Sequence, residues 1–291
     1  IVPFAAGGPT DRVARDLAEA MRKTLGASVV VENAAGGPGG LIGAAKVAKA
    51  STDGHTLLVH HIAMGIFPSL VRNLPFKVET DFEYLGMIND VPMTLIGKPQ
   101  LPANNYKELM VWVNANKGKI NLANAGLASA SHLCGMLWQA SIQVDMTTVP
   151  YKGTAPAMTD LIGGQVTFLF VDLASSRPHV QSGRVRALAL SAEQTTALAA
   201  DLPTVAEQAN LPGFDLAAWI GVVGPAGMPP AIVNKLSERL AAMLVRKDVA
   251  ERLVGLGVEA HPSTAAELDA YMKRQLEGWG RKVKDAGIQP E

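Results

Sequence analysis

The chain has 291 residues, with 26 Lys and Arg against 26 Asp and Glu, and so carries no formal net charge. That length predicts about two domains, with one large domain as the alternative, and the charge balance argues against a nucleic-acid partner, whose footprint is a basic surplus. Hydrophobic residues at 48% and charged residues at 18% exclude a disordered chain, and a single cysteine, Cys134, excludes an intrachain disulfide. No apolar run reaches the ~18 residues of a membrane span. No signal peptide is visible, yet the chain opens on apolar Ile1-Val2-Pro3-Phe4. A buried strand rarely begins a natural chain, so a leader is expected to precede it.

In chain order, the opening reads as a strand running into Ala5-Ala6-Gly7-Gly8-Pro9-Thr10-Asp11. A helix follows with Val13, Leu17 and Met21 on one face; Thr10 or Asp11 is its expected N-cap and Gly26 its end. Val29–Val31 reads as a short buried strand, Leu41–Ala50 as a small-residue helix and Thr56–Val59 as a strand, so the first 60 or so residues predict parallel strands with crossover helices. A turn-rich stretch over 68–82 precedes strands at Tyr84–Ile88 and Met93–Ile96. Beyond the prolines at 99 and 102 a second α/β run begins. Its helices are expected at Tyr106–Asn116, Ser131–Ser141, Ala155–Ile162 and Pro178–Ser182, and its strands at Ile120–Ala123, Thr147–Pro150, Val166–Phe170 and Val185–Leu190. Trp219–Gly224 is one more strand, and the tail is helical, with Leu236, Leu240 and Met243 and later Leu268, Met272 and Trp279 sharing faces. The proline clusters near 99 and 225 predict two crossings between domains: one domain over 1–97 plus 222–291, the other over 98–221.

Three glycine-rich loops invite a functional reading. Phe4 to Asp11 sits between a strand and a helix, where free N–H groups and the helix macrodipole favour a carboxylate or phosphate; a tight turn is the plainer alternative. Ala35 to Gly43 invites a dinucleotide reading and fails it, because Gly37-x-Gly39 is followed three residues on by Ile42; no Gly-x4-Gly-Lys-Ser/Thr occurs either, so no cofactor is expected. Gly126 to His132 again precedes a helix, and Ser129 and Ser131 add hydroxyl donors, while His132 also reads as an ordinary helix histidine. His60 and His61 are adjacent on a strand, where side chains alternate faces, so they do not predict a metal site. No Gly-x-Ser-x-Gly elbow is present, and Cys134 reads as a small buried hydrophobe. Asp172, at a strand end, either binds a ligand amine or hydroxyl or caps a turn.

These motifs, taken in order, resemble a known family. They are Pro3-Phe4-x-x-Gly7-Gly8-x-x-Asp11, Glu32-Asn33 with Gly36 to Gly43, Asp53-Gly54-x-Thr56-Leu57, Gly126-x-x-Ser129-x-x-His132-Leu133, Val149-Pro150-Tyr151-Lys152-Gly153-x-x-Pro156-Ala157 and Trp219-x-Gly221-x-x-x-Pro225-x-Gly227-x-Pro229. The chain resembles the Bug-type substrate-binding proteins of tripartite tricarboxylate transport systems, from its first residues to the last twenty or so.

The resemblance implies a two-domain α/β periplasmic-binding-protein fold of the Venus-flytrap, type II-like kind, hinged by two crossover strands. It implies a periplasmic, monomeric receptor that does no catalysis, holds a small carboxylate in the cleft between its domains and passes it to the membrane components of a tripartite transporter. The ligand-binding positions it implies are Phe4, Ala6, Gly7, Gly8, Thr10, Asp11, His61, Ala128, Ser129, Ala130, Ser131, His132, Thr154 and Asp172. Two positions depart from the family pattern: Ala128 where glycine is common, and His60-His61-Ile62 where small polar residues are usual. A sensor for a signalling partner, or a soluble α/β enzyme acting on a carboxylate, are the competing readings.

Overall fold

The computed structural model describes residues 1–126, 129–192, 195, 199–209, 217–255, 258 and 260–285. The chain divides into two compact units, Ile1–Asp90 with Trp219–Glu291, and Val91–Ala218. It passes from one to the other within strand β2 (Phe82–Gly97) and returns at the start of β7 (Ala217–Pro225).

The first unit begins with α1 (Pro9–Leu25). Its N-cap is Gly8 with Pro9 at the first helical position, so Thr10 and Asp11 lie inside the first turn instead of capping it. Gly26 ends the helix with φ +65° and an N–H bonded to the Arg22 carbonyl. The opening segment and Val29–Val31 form no strands. They meet through one parallel bridge, Val2 with Asn33, and Val30 is 81% exposed. Three β-branched residues favour extended backbone, but a strand needs neighbours to pair with, and the one bridge on this side falls beyond Val31, at Asn33. After α2 (Leu41–Ala48), strand β1 (Leu58–His61) pairs antiparallel with β7, which lies between β1 and β2, and of the expected parallel arrangement there remain the Val2–Asn33 bridge and the backbone bonds of Ile1 to Leu57 and Val59, at 2.7 and 3.0 Å.

Helix α3 (Ala63–Leu70) occupies a stretch that read as turns from residue 68. Ala63, Met64, Ile66 and Phe67 are buried, and the helix lies along α11 (Ala265–Asp285). Gly65 makes that approach possible: a β-carbon there would stand 3.1 Å from the Gln275 β-carbon. Phe67, Phe76 and Phe82 continue the core as two edge-to-face pairs, 5.6 and 5.3 Å between centroids. Helices α9 (Pro230–Leu244) and α10 (Lys247–Gly255) complete the unit, both packing on α1.

The second unit follows the predicted α/β alternation closely. Strands β3 (Asn121–Asn124), β4 (Thr147–Pro150) and β5 (Phe168–Asp172) are parallel in the order β5-β3-β4. The Met93–Gly97 half of β2 runs antiparallel to β5 and to β6 (Arg186–Leu190). The helices are α4 (Tyr106–Ala115), α5 (Ala130–Ile142), α6 (Thr154–Ile162), α7 (Leu173–Gln181) and α8 (Val205–Ala209). Trp138 of α5 is fully buried, packs edge-on to Phe168 and Phe170, and donates its indole N–H to the Tyr106 hydroxyl at 2.9 Å. That bond lets a large aromatic fill the core with its polar atom paired.

Candidate functional site

In the first unit the loop Phe4–Asp11 is organised by a carboxylate. Asp11 is 1% exposed. Its Oδ2 accepts the Gly7 N–H at 2.7 Å and the Arg15 Nε–H at 2.9 Å; its Oδ1 accepts from Asn33 Nδ2 at 2.8 Å. Asn33 Nδ2 also donates to the Phe4 carbonyl at 3.0 Å, and Asn33 Oδ1 accepts from Arg15 at 3.0 Å. Burial pushes the Asp11 carboxyl up, but the bonds from Arg15, Gly7 and Asn33 outweigh it and hold the group below its usual range. Asp11 is therefore an ionised clamp. Of the N–H groups that the Phe4–Asp11 loop offers, that of Gly7 belongs to the clamp and is not free. The Thr10 and Asp11 N–H groups, in the first helical turn, have no acceptor four residues back. Ala5, Ala6 and Gly7 are exposed, Phe4 and Gly8 half-buried, and Thr10 buried.

His61 joins this loop. Its ring stacks on Phe4, 4.3 Å between centroids and 14° from parallel. His60 meets Phe4 edge-on at 5.5 Å and His61 at 5.2 Å, so the two imidazoles are neighbours and do not take opposite faces. Alternation breaks down because β1 ends at His61 and Ile62 already has helical dihedrals. Ala63 N–H donates to His61 Nδ1 at 3.1 Å and His61 N–H to His60 Nδ1 at 2.8 Å. A ring nitrogen that accepts carries no proton, which puts the His61 proton on Nε2, while His60 Nδ1 also stands 3.0 Å from the His61 carbonyl, and its tautomer follows from which of the two backbone groups it bonds. Burial lowers both groups, His60 to about 4 and His61 well below its usual value, so both are neutral donors at neutral pH. Among the described residues no cluster of three or more His, Cys, Asp or Glu could hold a metal ion.

In the second unit the carboxyl ends of three adjacent parallel strands each feed a helix. At the β3–α5 junction, Asn124 Oδ1 accepts the Gly126 N–H at 2.9 Å and the Ser129 N–H donates to the Gly126 carbonyl at 3.1 Å. Gly126 has φ +119°, where a side chain would be strained. Ser129 is the N-cap of α5, its Oγ accepting the His132 N–H at 3.2 Å and keeping its own O–H proton free to donate. Ala130, Ser131 and His132 form the first turn, and Ala128 lies outside the described residues. At the β4–α6 junction, Tyr151 N–H donates to the Asn124 carbonyl at 3.0 Å, which ties the two junctions together, and Thr154 opens α6 after Gly153. At the β5–α7 junction, Asp172 is the N-cap: Oδ1 accepts the Ser175 N–H and Oδ2 the Ser175 hydroxyl, both at 2.8 Å. Of its two readings, the cap is the one the structure displays.

The structure thus brings Phe4, Gly7, Gly8, Thr10, Asp11 and His61 together in one unit, and Ser129, Ala130, Ser131, His132 and Thr154 at joined junctions in the other. Sequence reasoning missed the clamp partners Arg15 and Asn33 as a unit with Asp11, and missed Asn124. The Asn124-x-Gly126 spacing, a turn in which an asparagine bonds backbone two residues on, was its available signal.

A model of the tripartite tricarboxylate transporter family receptor matches residues 13–288. The solved periplasmic binding protein BugD is 43% identical, with a TM-score of 0.91 over 100% of this chain and 97% of its own. R. palustris Rpa4515, solved with adipate, is 31% identical with a TM-score of 0.91 over 100% of this chain and 97% of its own. MatC of Rhodopseudomonas palustris, solved with bound malate, is 34% identical with a TM-score of 0.88 over 97% of each chain. On that evidence the chain is a binding protein and not an enzyme, and its fold is the two-domain α/β fold of BugD. It belongs to the receptor family of tripartite tricarboxylate transporters and is a periplasmic solute-binding protein.

Proposed function

We propose that this receptor captures a small carboxylate, held by the Phe4–Asp11 loop of one unit and the β3–α5 junction of the other, and delivers it as a monomer to the membrane components of a tripartite transporter. The observation that carries the reading is the character of the two loops. Each supplies neutral N–H and O–H donors at the start of a helix, and the charges of the first loop, Asp11 and Arg15, already neutralise each other. Such an array suits an anion whose charge is met by oriented dipoles, without a cationic side chain. Adipate in Rpa4515 and malate in MatC give the ligand class its support.

A thermal-shift panel of acetate, succinate, malate, adipate, citrate and benzoate, each beside its amide or ester, tests the proposal. A bound acid at 100 times its Kd stabilises the protein by about 2.7 kcal/mol. At least one acid is expected to raise Tm while its neutral counterpart does not. A panel in which no carboxylate raises Tm, or in which the neutral counterparts act as well as the acids, overturns the proposal.

A further inference from the structure

We infer that the first unit carries a further binding site, a cleft between α1, α9 and the sheet that takes the alkyl chain of a single-chain anionic amphiphile and meets its head with Arg239. The whole lining belongs to the first unit, and no residue of the Phe4–Asp11 loop is part of it. The sheet contributes Leu85 of β2 and Val222 of β7, α1 contributes Met21 and Leu25, and α9 contributes Leu236 and Leu240. The cleft holds about 380 Å³, counting the space open to solvent at its mouth, which is the size of a small-molecule site. Leu85, Val222 and Leu240 are buried, whereas Leu25, the last residue of α1, is 38% exposed, so the apolar lining runs from the core out to the surface.

The chemistry of the occupant follows from the lining. Apolar walls give water few partners, so an alkyl chain replaces it at a gain. On α9, Leu236, Leu240 and Met243 recur at i, i+4 and i+7, and Arg239 falls on the same stripe at i+3. Packing alone asks for an apolar residue there. Arg239 is exposed and forms no hydrogen bond or ion pair among the described residues. The other polar residue of the lining, Thr24, has no donor left: its hydroxyl donates to the Ala20 carbonyl at 2.9 Å and accepts from Arg246 at 3.3 Å. The cleft therefore offers apolar surface and one unpaired guanidinium. A neutral chain leaves that cation unmet, a cationic one is repelled, and a chain ending in an anionic group answers both parts.

Octyl sulfate, octanol and octyltrimethylammonium, each below its micelle concentration, test the site when titrated into protein with isotope-labelled methionine methyl groups. Met21 and Met243 line the cleft, and Met146 and Met158 lie in the second unit, so the methyl signals locate binding in the unaltered chain. Octyl sulfate is expected to move Met21 and Met243 saturably and to leave Met146 and Met158 in place. Hexyl sulfate is expected to bind about fifteenfold more weakly for the two methylenes it lacks. Octanol is expected to bind about two- to fivefold more weakly than octyl sulfate, the usual worth of an exposed ion pair, and octyltrimethylammonium more weakly still. Arg239→Gln is expected to keep the methyl shifts and to lose the preference for sulfate over octanol. Still signals at Met21 and Met243, or shifts spread equally over both units, overturn the site. Equal affinity for the three heads, or a sulfate preference that survives Arg239→Gln, overturns the role of Arg239 and with it the anionic class. None of these probes is a carboxylate, so the outcome is independent of the function proposed above.

Discussion

Gly7 and Gly8 stand side by side under different constraints. Gly7 has φ +82° with open space where a β-carbon would go, so a side chain there is opposed by backbone conformation alone. Gly8, the N-cap of α1, has φ −73°, which any residue adopts. By urea unfolding, Gly7→Ala is expected to cost about 1 kcal/mol through backbone conformation, and Gly8→Ala about 0.5–1 kcal/mol because alanine is a poorer helix N-cap than glycine. Next to them, Asp11 and the two histidines give the first unit an acid sensitivity of defined sign. The Asp11 carboxyl is held below its usual range, so its contribution is complete above the carboxylate range and is lost as pH falls through the folded value. His60 titrates near 4 when folded and near ~6.5 when unfolded, so the unfolded chain takes up protons first as pH falls, and stability drops through that window. The His60 share is about 2 kcal/mol between pH 7 and 5. His60→Phe, which keeps an aromatic ring against Phe4 and Phe67 and removes the buried Nε2, is expected to flatten the pH dependence by about that amount. A variant with the parent's slope contradicts the assignment.

At the level of elements, packing decided what periodicity left open. The alternation of strand and helix over 106–190 was legible because each element carries its own signal: Asn105 caps α4 by accepting the Glu108 N–H, Ser129 caps α5, and apolar residues recur at the helical period between them. The loops that carry the candidate site were legible for a similar reason, as glycines running into the start of a helix, although the opening segment before the first loop forms a single bridge and no strand. Val29–Val31 and α3 were not legible, since the first lacks a partner strand and the second owes its helix to α11. The Asp11 clamp was hidden because Asn33, 22 positions away, completes it. Packing also fixes what α3 tolerates. Gly65→Leu forces side-chain volume into the 3.1 Å approach to Gln275 and is expected to destabilise the protein by about 1–3 kcal/mol, measured by urea unfolding. Gly278, inside α11, where a β-carbon would meet nothing within 4 Å, is expected to gain about 0.5–1 kcal/mol on substitution by alanine.

For the whole molecule, the chain's two passages between units lead us to expect that ligand capture brings the units together, and small-angle scattering is expected to give a smaller radius of gyration with a bound acid than without. The central claim, however, concerns charge met by neutral donors. Isothermal titration of the acid that most stabilises the protein, beside its primary amide, in 20 mM and 500 mM salt, tests it most directly. Exposed ion pairs weaken steeply over that range, whereas buried contacts with oriented N–H and O–H groups are screened far less. The account predicts tight binding of the acid, no measurable binding of the amide and a Kd that changes less than about threefold with salt. Equal affinity for acid and amide, or affinity that collapses in high salt, contradicts it.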